Sequence, residues 1–171
     1  MHKEMIEYSK RIKARFPEHF KDAYVLDVGS LDINGNNRYL FENCNCIGLD
    51  IVNGKNVDYV EPIHKFKTVT RFNTIICTEM LEHDKYIYLS LKKMIGLLKP
   101  GGLLLITAAT TGRKEHGTKR FAPSQSPATT DYYRNVELKE FVDNIKPEDF
   151  KEFGIEINNT SNDIYFYGVK A

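Results

Sequence analysis

Apolar residues recur at helical spacing in several stretches of the chain. Residues 4–16 place apolar side chains every three or four positions among lysines and arginines, which predicts an amphipathic helix ended by Pro17. A second helix is predicted to begin at Asp84, which we expect to cap it, and to continue along one apolar stripe to a Lys-Pro-Gly-Gly sequence. We expect a third helix over residues 136–145 and a short one over residues 34–42.

Shorter apolar or alternating runs, bounded by turn-forming residues, predict the strands. They cover residues 24–29, 46–52, 56–61, 72–78, 103–109, 154–158 and 163–171. The run 103–109 is almost continuously apolar, which is typical of a strand that is covered on both faces. Strands that alternate with helices predict a parallel sheet with helices on both sides, and the last two strands predict an antiparallel hairpin at one edge.

Composition narrows the class of protein. The 171 residues suit one domain, 42% of them are hydrophobic, and the net charge of +1 gives no indication of a nucleic-acid partner or an anionic membrane. No apolar run approaches the roughly 20 residues that span a bilayer, and the charged N-terminus lacks a signal-peptide core. Cys44, Cys46 and Cys77 form neither a disulfide framework nor a zinc set, so we expect reduced thiols and a cytoplasmic protein.

Polar residues lie where the predicted strands end. In parallel sheets of this kind ligands bind at the carboxyl ends of the strands. Gly29 follows the first strand and permits close approach of a ligand to the backbone, and Asp50 ends the second strand, where a carboxylate accepts both hydroxyls of a ribose. Each residue alone also fits an ordinary turn, but the pair favours a nucleoside ligand.

The glycine pattern shows whether the predicted nucleoside ligand carries phosphates. A dinucleotide site requires Gly-x-Gly-x-x-Gly, and here Leu31 and Asn34 stand at the second and third glycine positions. The sequence also lacks the Gly-rich loop followed by Lys and Ser or Thr that binds nucleotide phosphates. A nucleoside without phosphates remains.

Four segments resemble the class I S-adenosylmethionine-dependent methyltransferases in order and spacing. They are VLDVGS, IGLDI, FNTIICTEMLEH and LLKPGGLLLIT, which together span residues 24–109, and the final DIYFYGVKA resembles the family's last strand. The resemblance implies one methyltransferase domain over residues 1–171 with an α/β fold. This fold is a Rossmann-like three-layer sandwich, in which a seven-stranded, mostly parallel sheet has an antiparallel last strand. It also implies S-adenosyl-L-methionine as the methyl donor.

The same resemblance implies the residues that contact the cofactor. They are Asp27, Val28, Gly29, Ser30, Asp50, Ile51, Ile63, His64, Thr78, Glu79 and Met80. Residues 27–29 would line the methionine part, Asp50 would bind the ribose, and residues 78–80 would lie beside the sulfonium. The family commonly has further glycines at the positions that Leu31 and Ile33 occupy here.

The acceptor side is expected after the fourth and fifth strands. Methyl transfer depends mainly on alignment and needs a base only when the nucleophile carries a proton. His83 and His116 are the candidate bases, although each also fits a residue that only packs or is solvated. We expect residues 111–135 to form a basic substrate loop that orders over the acceptor, a small molecule or saccharide, with Tyr132 and Tyr133 as substrate contacts.

Two other functions stay open on the sequence. A non-catalytic scaffold could retain the fold, although it would have no need to keep the predicted cofactor acids. A nicotinamide oxidoreductase is disfavoured because the dinucleotide glycine pattern fails.

Overall fold

The structure, a computed structural model, describes residues 2–171 and contains three α-helices and seven β-strands in this part of the chain. The helices are α1 (Lys3–Arg15), α2 (Ile87–Leu97) and α3 (Leu138–Asp143). The strands are β1 (Tyr24–Val28), β2 (Asn45–Asp50), β3 (Tyr59–Val60), β4 (Phe72–Thr78), β5 (Leu98–Ala109), β6 (Phe150–Asn158) and β7 (Asp163–Lys170).

All seven strands form one sheet in the order β3-β2-β1-β4-β5-β7-β6. The first five run parallel, and β7 is antiparallel to both of its neighbours, β5 and β6. The predicted seven-stranded sheet with an antiparallel last strand is therefore confirmed. Strand order reverses at β1, because the chain leaves β1 toward β2 on one side and returns to β4 on the other.

Two hydrophobic clusters cover the two faces of the sheet. Successive residues of β5 point to opposite faces, so Leu104 and Ile106 join one cluster while Leu103 and Leu105 join the other. The first cluster includes the apolar sides of α2 and α3, and the second includes that of α1. This double coverage explains the apolar run in β5.

The predicted helix over 34–42 is wrong. Only a single 3₁₀ turn forms there, at Arg38–Leu40. Asp32 Oδ1 accepts a hydrogen bond from the Gly35 amide at 3.1 Å, and Asn36 Oδ1 accepts one from the Arg38 amide at 2.9 Å. A helix over 34–42 would need the Arg38 amide to donate to the carbonyl four residues earlier, and the Asn36 side chain takes that amide instead, which holds the segment in turns.

Helix boundaries also differ from those predicted. Asp84 does not cap α2. Its Oδ1 accepts from the Tyr86 amide at 2.8 Å in a turn that precedes the helix. Helix α3 covers six residues, fewer than expected, because Val136 lies buried in the extended segment before it. No helix in residues 2–171 is long and apolar enough to cross a membrane.

Candidate functional site

A cavity of about 210 Å³ opens at the carboxyl ends of β1, β2 and β4. This is the point where strand order reverses, and loops that leave neighbouring strands in opposite directions create a crevice there. Seven segments line the cavity: residues 27–31, 33–37, 49–51, 61–63, 78–80, 83–84 and 125–129.

Most of the site residues expected from the sequence line this one cavity. They are Asp27, Val28, Gly29, Ser30, Asp50, Ile51, Ile63, Thr78, Glu79, Met80 and His83. Four others do not line it. The His64 ring packs on Tyr86 with ring centroids 4.5 Å apart, and His116, Tyr132 and Tyr133 belong to the loop over 111–135 but not to the residues that line the cavity.

Gly29 begins the loop that leaves β1. Its φ of +78° is a left-handed conformation that favours glycine. A Cβ at this position would lie 2.8 Å from Met80 Cγ, so the loop packs directly against the residue that follows β4. The Met80 side chain thus packs against the Gly29 backbone and occupies the space that a side chain at position 29 would need.

Asp50 ends β2 with its carboxylate at the cavity wall. Oδ2 accepts a hydrogen bond from the Leu31 amide at 3.1 Å, and Oδ1 accepts one from the Val52 amide at 3.3 Å. Burial raises the pKa of this carboxyl above its ordinary value, and the two amides act against that shift. Each oxygen has a second lone pair, so the group can accept two hydroxyls from a ligand.

Asp27 is buried at the floor of the cavity. Asn37 Nδ2 donates to Asp27 Oδ1 and to Thr78 Oγ1, both at 3.1 Å, so this amide joins the loop after β1 to the end of β4. Asp27 Oδ2 is buried without a hydrogen-bond partner among the described residues. Burial raises the pKa of Asp27 to about 6. An unpaired acceptor of this kind suits a ligand that donates hydrogen bonds or carries positive charge.

Glu79 follows β4 in a left-handed conformation with φ of +54°, a strained geometry for a residue with a side chain. Its Oε1 accepts from Thr107 Oγ1 at 2.8 Å, and its Oε2 lies 3.4 Å from His2 Nε2 and 3.8 Å from Arg113 Nη2. Burial opposes ionisation, but these donors and cations outweigh it and lower the pKa of Glu79. His2 and Arg113 also contact the buried Asp163, at 3.0 Å and 3.4 Å, so two acids face two cations.

His83 forms part of the cavity wall in the segment that follows β4. The rings of His116 and Tyr133 pack behind it, with centroids 5.3 and 5.5 Å from the His83 ring. Burial, and then the neighbouring His116, lower the pKa of His83 to about 4, so this side chain is neutral at physiological pH. Glu82, one residue earlier, is wholly buried behind the same wall.

The loop over 111–135 is held at several points. Arg113 Nη1 donates to Ser161 O at 2.6 Å, and the Lys119 amide donates to Thr130 O at 2.8 Å. Its residues 125–129 cover one side of the cavity. The sequence predicts an acceptor role for this loop and a site after β4, but it does not single out residues 125–129, Glu82 or Asn37, because their places depend on how the loops pack.

Comparison with known proteins agrees with this geometry. The profile of a family described as "Methyltransferase domain" matches residues 1–145. A comparison with curated protein sequences finds no match.

Solved structures share the fold at low sequence identity. The 1,6-didemethyltoxoflavin-N1-methyltransferase of Burkholderia thailandensis, solved with S-adenosylhomocysteine and its substrate, is 17% identical with a TM-score of 0.66, over 98% of this chain and 78% of that one. The N-methyltransferase NodS of Bradyrhizobium japonicum, with S-adenosylhomocysteine, is 13% identical with a TM-score of 0.64, over 96% and 86%. A carbon methyltransferase, CurJ, is 16% identical with a TM-score of 0.61, over 98% of this chain and 54% of that one.

Proposed function

Because the chain belongs to the methyltransferase-domain family, whose profile matches residues 1–145, we propose that it transfers a methyl group from S-adenosyl-L-methionine to a small-molecule or saccharide acceptor. The observation that carries the proposal is the cavity at the strand-order reversal, into which β1 and β2 bring Gly29, Asp27 and Asp50 together. Three solved relatives in fold are methyltransferases, and two of these were solved with S-adenosylhomocysteine.

The cavity residues suit the separate parts of this cofactor. Asp50 would accept the ribose hydroxyls, and Ile51 and Ile63 offer apolar surface to the adenine. Asp27, whose Oδ2 has no partner in the described structure, would face the ammonium of the methionine part. Residues 78–80 would then lie beside the sulfonium, which supplies an electrophilic methyl group without any metal or base.

The acceptor would enter from the side of His83 and residues 125–129. His83 is the better placed of the two histidines predicted as bases, because its side chain lines the cavity whereas that of His116 does not. Residues 111–135 remain our proposed substrate loop, and Tyr132 and Tyr133 would act there by supporting the loop. Tyr133 Oη donates to Asn135 Oδ1 at 2.7 Å and its ring contacts His83, so it positions that wall.

A two-stage experiment tests the proposal. Isothermal titration should show that S-adenosylhomocysteine binds and that NAD does not. Absence of S-adenosylhomocysteine binding to the folded protein would refute the cofactor assignment.

The second stage tests catalysis and the acceptor class. The protein is incubated with methyl-labelled S-adenosylmethionine and with the low-mass or the macromolecular fraction of a cell extract. Label incorporated from the low-mass fraction supports a small acceptor, and label found only in macromolecules contradicts it. Cofactor binding without transfer to either fraction would favour the non-catalytic scaffold.

A further inference from the structure

Glu82 is a buried carboxylate without a visible partner. Its side chain is 0% exposed, and neither Oε1 nor Oε2 has a hydrogen-bond partner among the described residues. Burying an ionised carboxylate costs several kcal/mol of free energy unless a cation or hydrogen-bond donors compensate it. A cation bound beside Glu82 would supply that compensation.

Two imidazoles face the same point. Glu82, His83 and His116 each offer one ligand atom, and the three atoms lie within 4.8 Å of one another. His116 Nε2 is 3.8 Å from Glu82 Oε1. His83 Nδ1 is buried and has no hydrogen-bond partner in the described structure. This spacing leaves room for one ion between the three side chains.

The tautomer of His116 suits metal binding. Its Nδ1 lies 3.0 Å from the Lys114 carbonyl oxygen, which can only accept, so Nδ1 carries the hydrogen. In the neutral ring Nε2, the nitrogen that lies near Glu82, then bears a lone pair that can bind a metal ion. Backbone carbonyls orient metal-binding histidines in this way in many proteins.

The surrounding chain holds the three groups together. Gly117 has φ of +67°, and a Cβ there would lie 2.8 Å from His83 Cε1, so the glycine lets the loop close onto the ring. The Arg134 amide donates to the Glu82 backbone oxygen at 2.9 Å and secures the end of the loop. The two histidines and the carboxylate therefore share one built pocket.

We infer that Glu82, His83 and His116 form a binding site for one divalent first-row transition-metal ion. Two imidazoles with one carboxylate suit such ions better than Mg²⁺ or Ca²⁺, which prefer oxygen ligands. The second acid cluster, His2–Glu79–Asp163, is geometrically similar but already contains Arg113, whose positive charge disfavours a metal ion.

Three protein ligands leave open positions on the ion, and His83 also lines the cavity. An oxygen of the methyl acceptor could fill such a position, and a bound metal lowers the pKa of a hydroxyl that it coordinates. This assignment of an oxygen-bearing acceptor rests on the proposed function, whereas the metal site itself does not.

The test measures metal binding directly, on protein freed of any affinity tag. Mn²⁺ and Co²⁺ are added separately in equilibrium dialysis, followed by elemental analysis, with Mg²⁺ as the oxygen-preferring comparison. We expect one equivalent of Mn²⁺ or Co²⁺ per chain and weaker retention of Mg²⁺. The visible spectrum of the Co²⁺ form should indicate nitrogen and oxygen ligands, without the charge-transfer band of a thiolate.

Variants identify the ligands. Glu82→Gln and His116→Ala should each weaken retention at least about tenfold, equivalent to about 1.4 kcal/mol. His2→Ala, from the other cluster, is the matched control and should retain the metal. His116 is partly exposed in a loop, so its variant keeps the test valid if Glu82→Gln unfolds.

Retention below one equivalent by the folded wild-type protein, or loss in His2→Ala but not in His116→Ala, would overturn the site. S-adenosylhomocysteine titration of the same samples separates the two proposals. Absence of metal binding with intact S-adenosylhomocysteine binding refutes only the metal site, and the reverse result refutes only the cofactor.

Discussion

Replacing Asp50 with alanine tests the cofactor site most directly. The substitution removes both carboxylate oxygens from the cavity wall, and with them the proposed acceptors for the two ribose hydroxyls. The substitution also removes the two oxygens that accept hydrogen bonds from the Leu31 and Val52 amides. Both of these residues are partly exposed, so water can replace the lost hydrogen bonds. We therefore expect a stability loss of only about 1 kcal/mol.

The expected loss of affinity follows from the same hydrogen bonds. A hydrogen bond to a charged group contributes about 1.5–3 kcal/mol, and the partial exposure of Asp50 places the pair of hydroxyl contacts at about 1–3 kcal/mol in total. The dissociation constant for S-adenosylhomocysteine should rise about 5- to 150-fold. Because S-adenosylhomocysteine lacks the sulfonium charge, long-range attraction to the carboxylate contributes little to this difference.

Asp58→Ala provides a matched control. Asp58 Oδ2 accepts from the Gly48 amide at 2.7 Å, and the side chain lies outside the cavity lining. This variant loses the same charge and also a hydrogen bond from a backbone amide, that of Gly48, so its affinity should stay near that of the wild type.

Titration calorimetry measures the affinities, and thermal unfolding verifies that each variant is folded. Adenosine and 2′,3′-dideoxyadenosine differ only in the two ribose hydroxyls, so comparing how each competes with S-adenosylhomocysteine isolates the contribution of those hydroxyls. The preference for adenosine should disappear in Asp50→Ala and persist in Asp58→Ala. Equal affinities of the wild type and folded Asp50→Ala for S-adenosylhomocysteine would refute the ribose assignment.

Three further predictions concern stability and pH. Gly29→Ala should lower the free energy of unfolding by about 1–3 kcal/mol in urea denaturation. Gly101→Ala is the control, because Gly101 also has a positive φ but an added Cβ there would meet no atom within 4 Å. Equal losses of unfolding free energy in the two variants would refute the packing argument. The Asp163 carboxylate, and to a smaller extent that of Glu79, raises the pKa of His2 from 6.5 to about 10. The stabilisation of the fold by protonated His2 is therefore complete below pH 6.5 and is lost as pH rises through about 10. His2→Ala should then lower the free energy of unfolding by about 1–3 kcal/mol at pH 6 and change it little above pH 10. With its pKa of about 6, Asp27 should become protonated as pH falls, which weakens S-adenosylhomocysteine binding. Calorimetry over a pH series tests this: the same pH dependence of S-adenosylhomocysteine affinity in the wild type and in Asp27→Asn would contradict the role of Asp27.

The sheet and the position of the cavity follow from patterns in the sequence. Strand patterns are local, because burial on one or both faces imposes a period of two or a continuous apolar run. β4 was predicted with its observed bounds, and Gly29 and Asp50 were predicted at the strand ends where the structure has them. The family resemblance drawn from the same segments is confirmed by the match to residues 1–145.

Which side chains from distant segments meet at the site depends on the packing of the whole chain. Asn37 reaches Thr78 across 41 positions, and His2 reaches Asp163 across almost the whole chain. Glu82 is separated from His116 by a loop that has no periodic pattern. Such contacts depend on where the loop packs, which is set by the sum of many weak interactions between distant segments, and local sequence patterns carry no information about that sum.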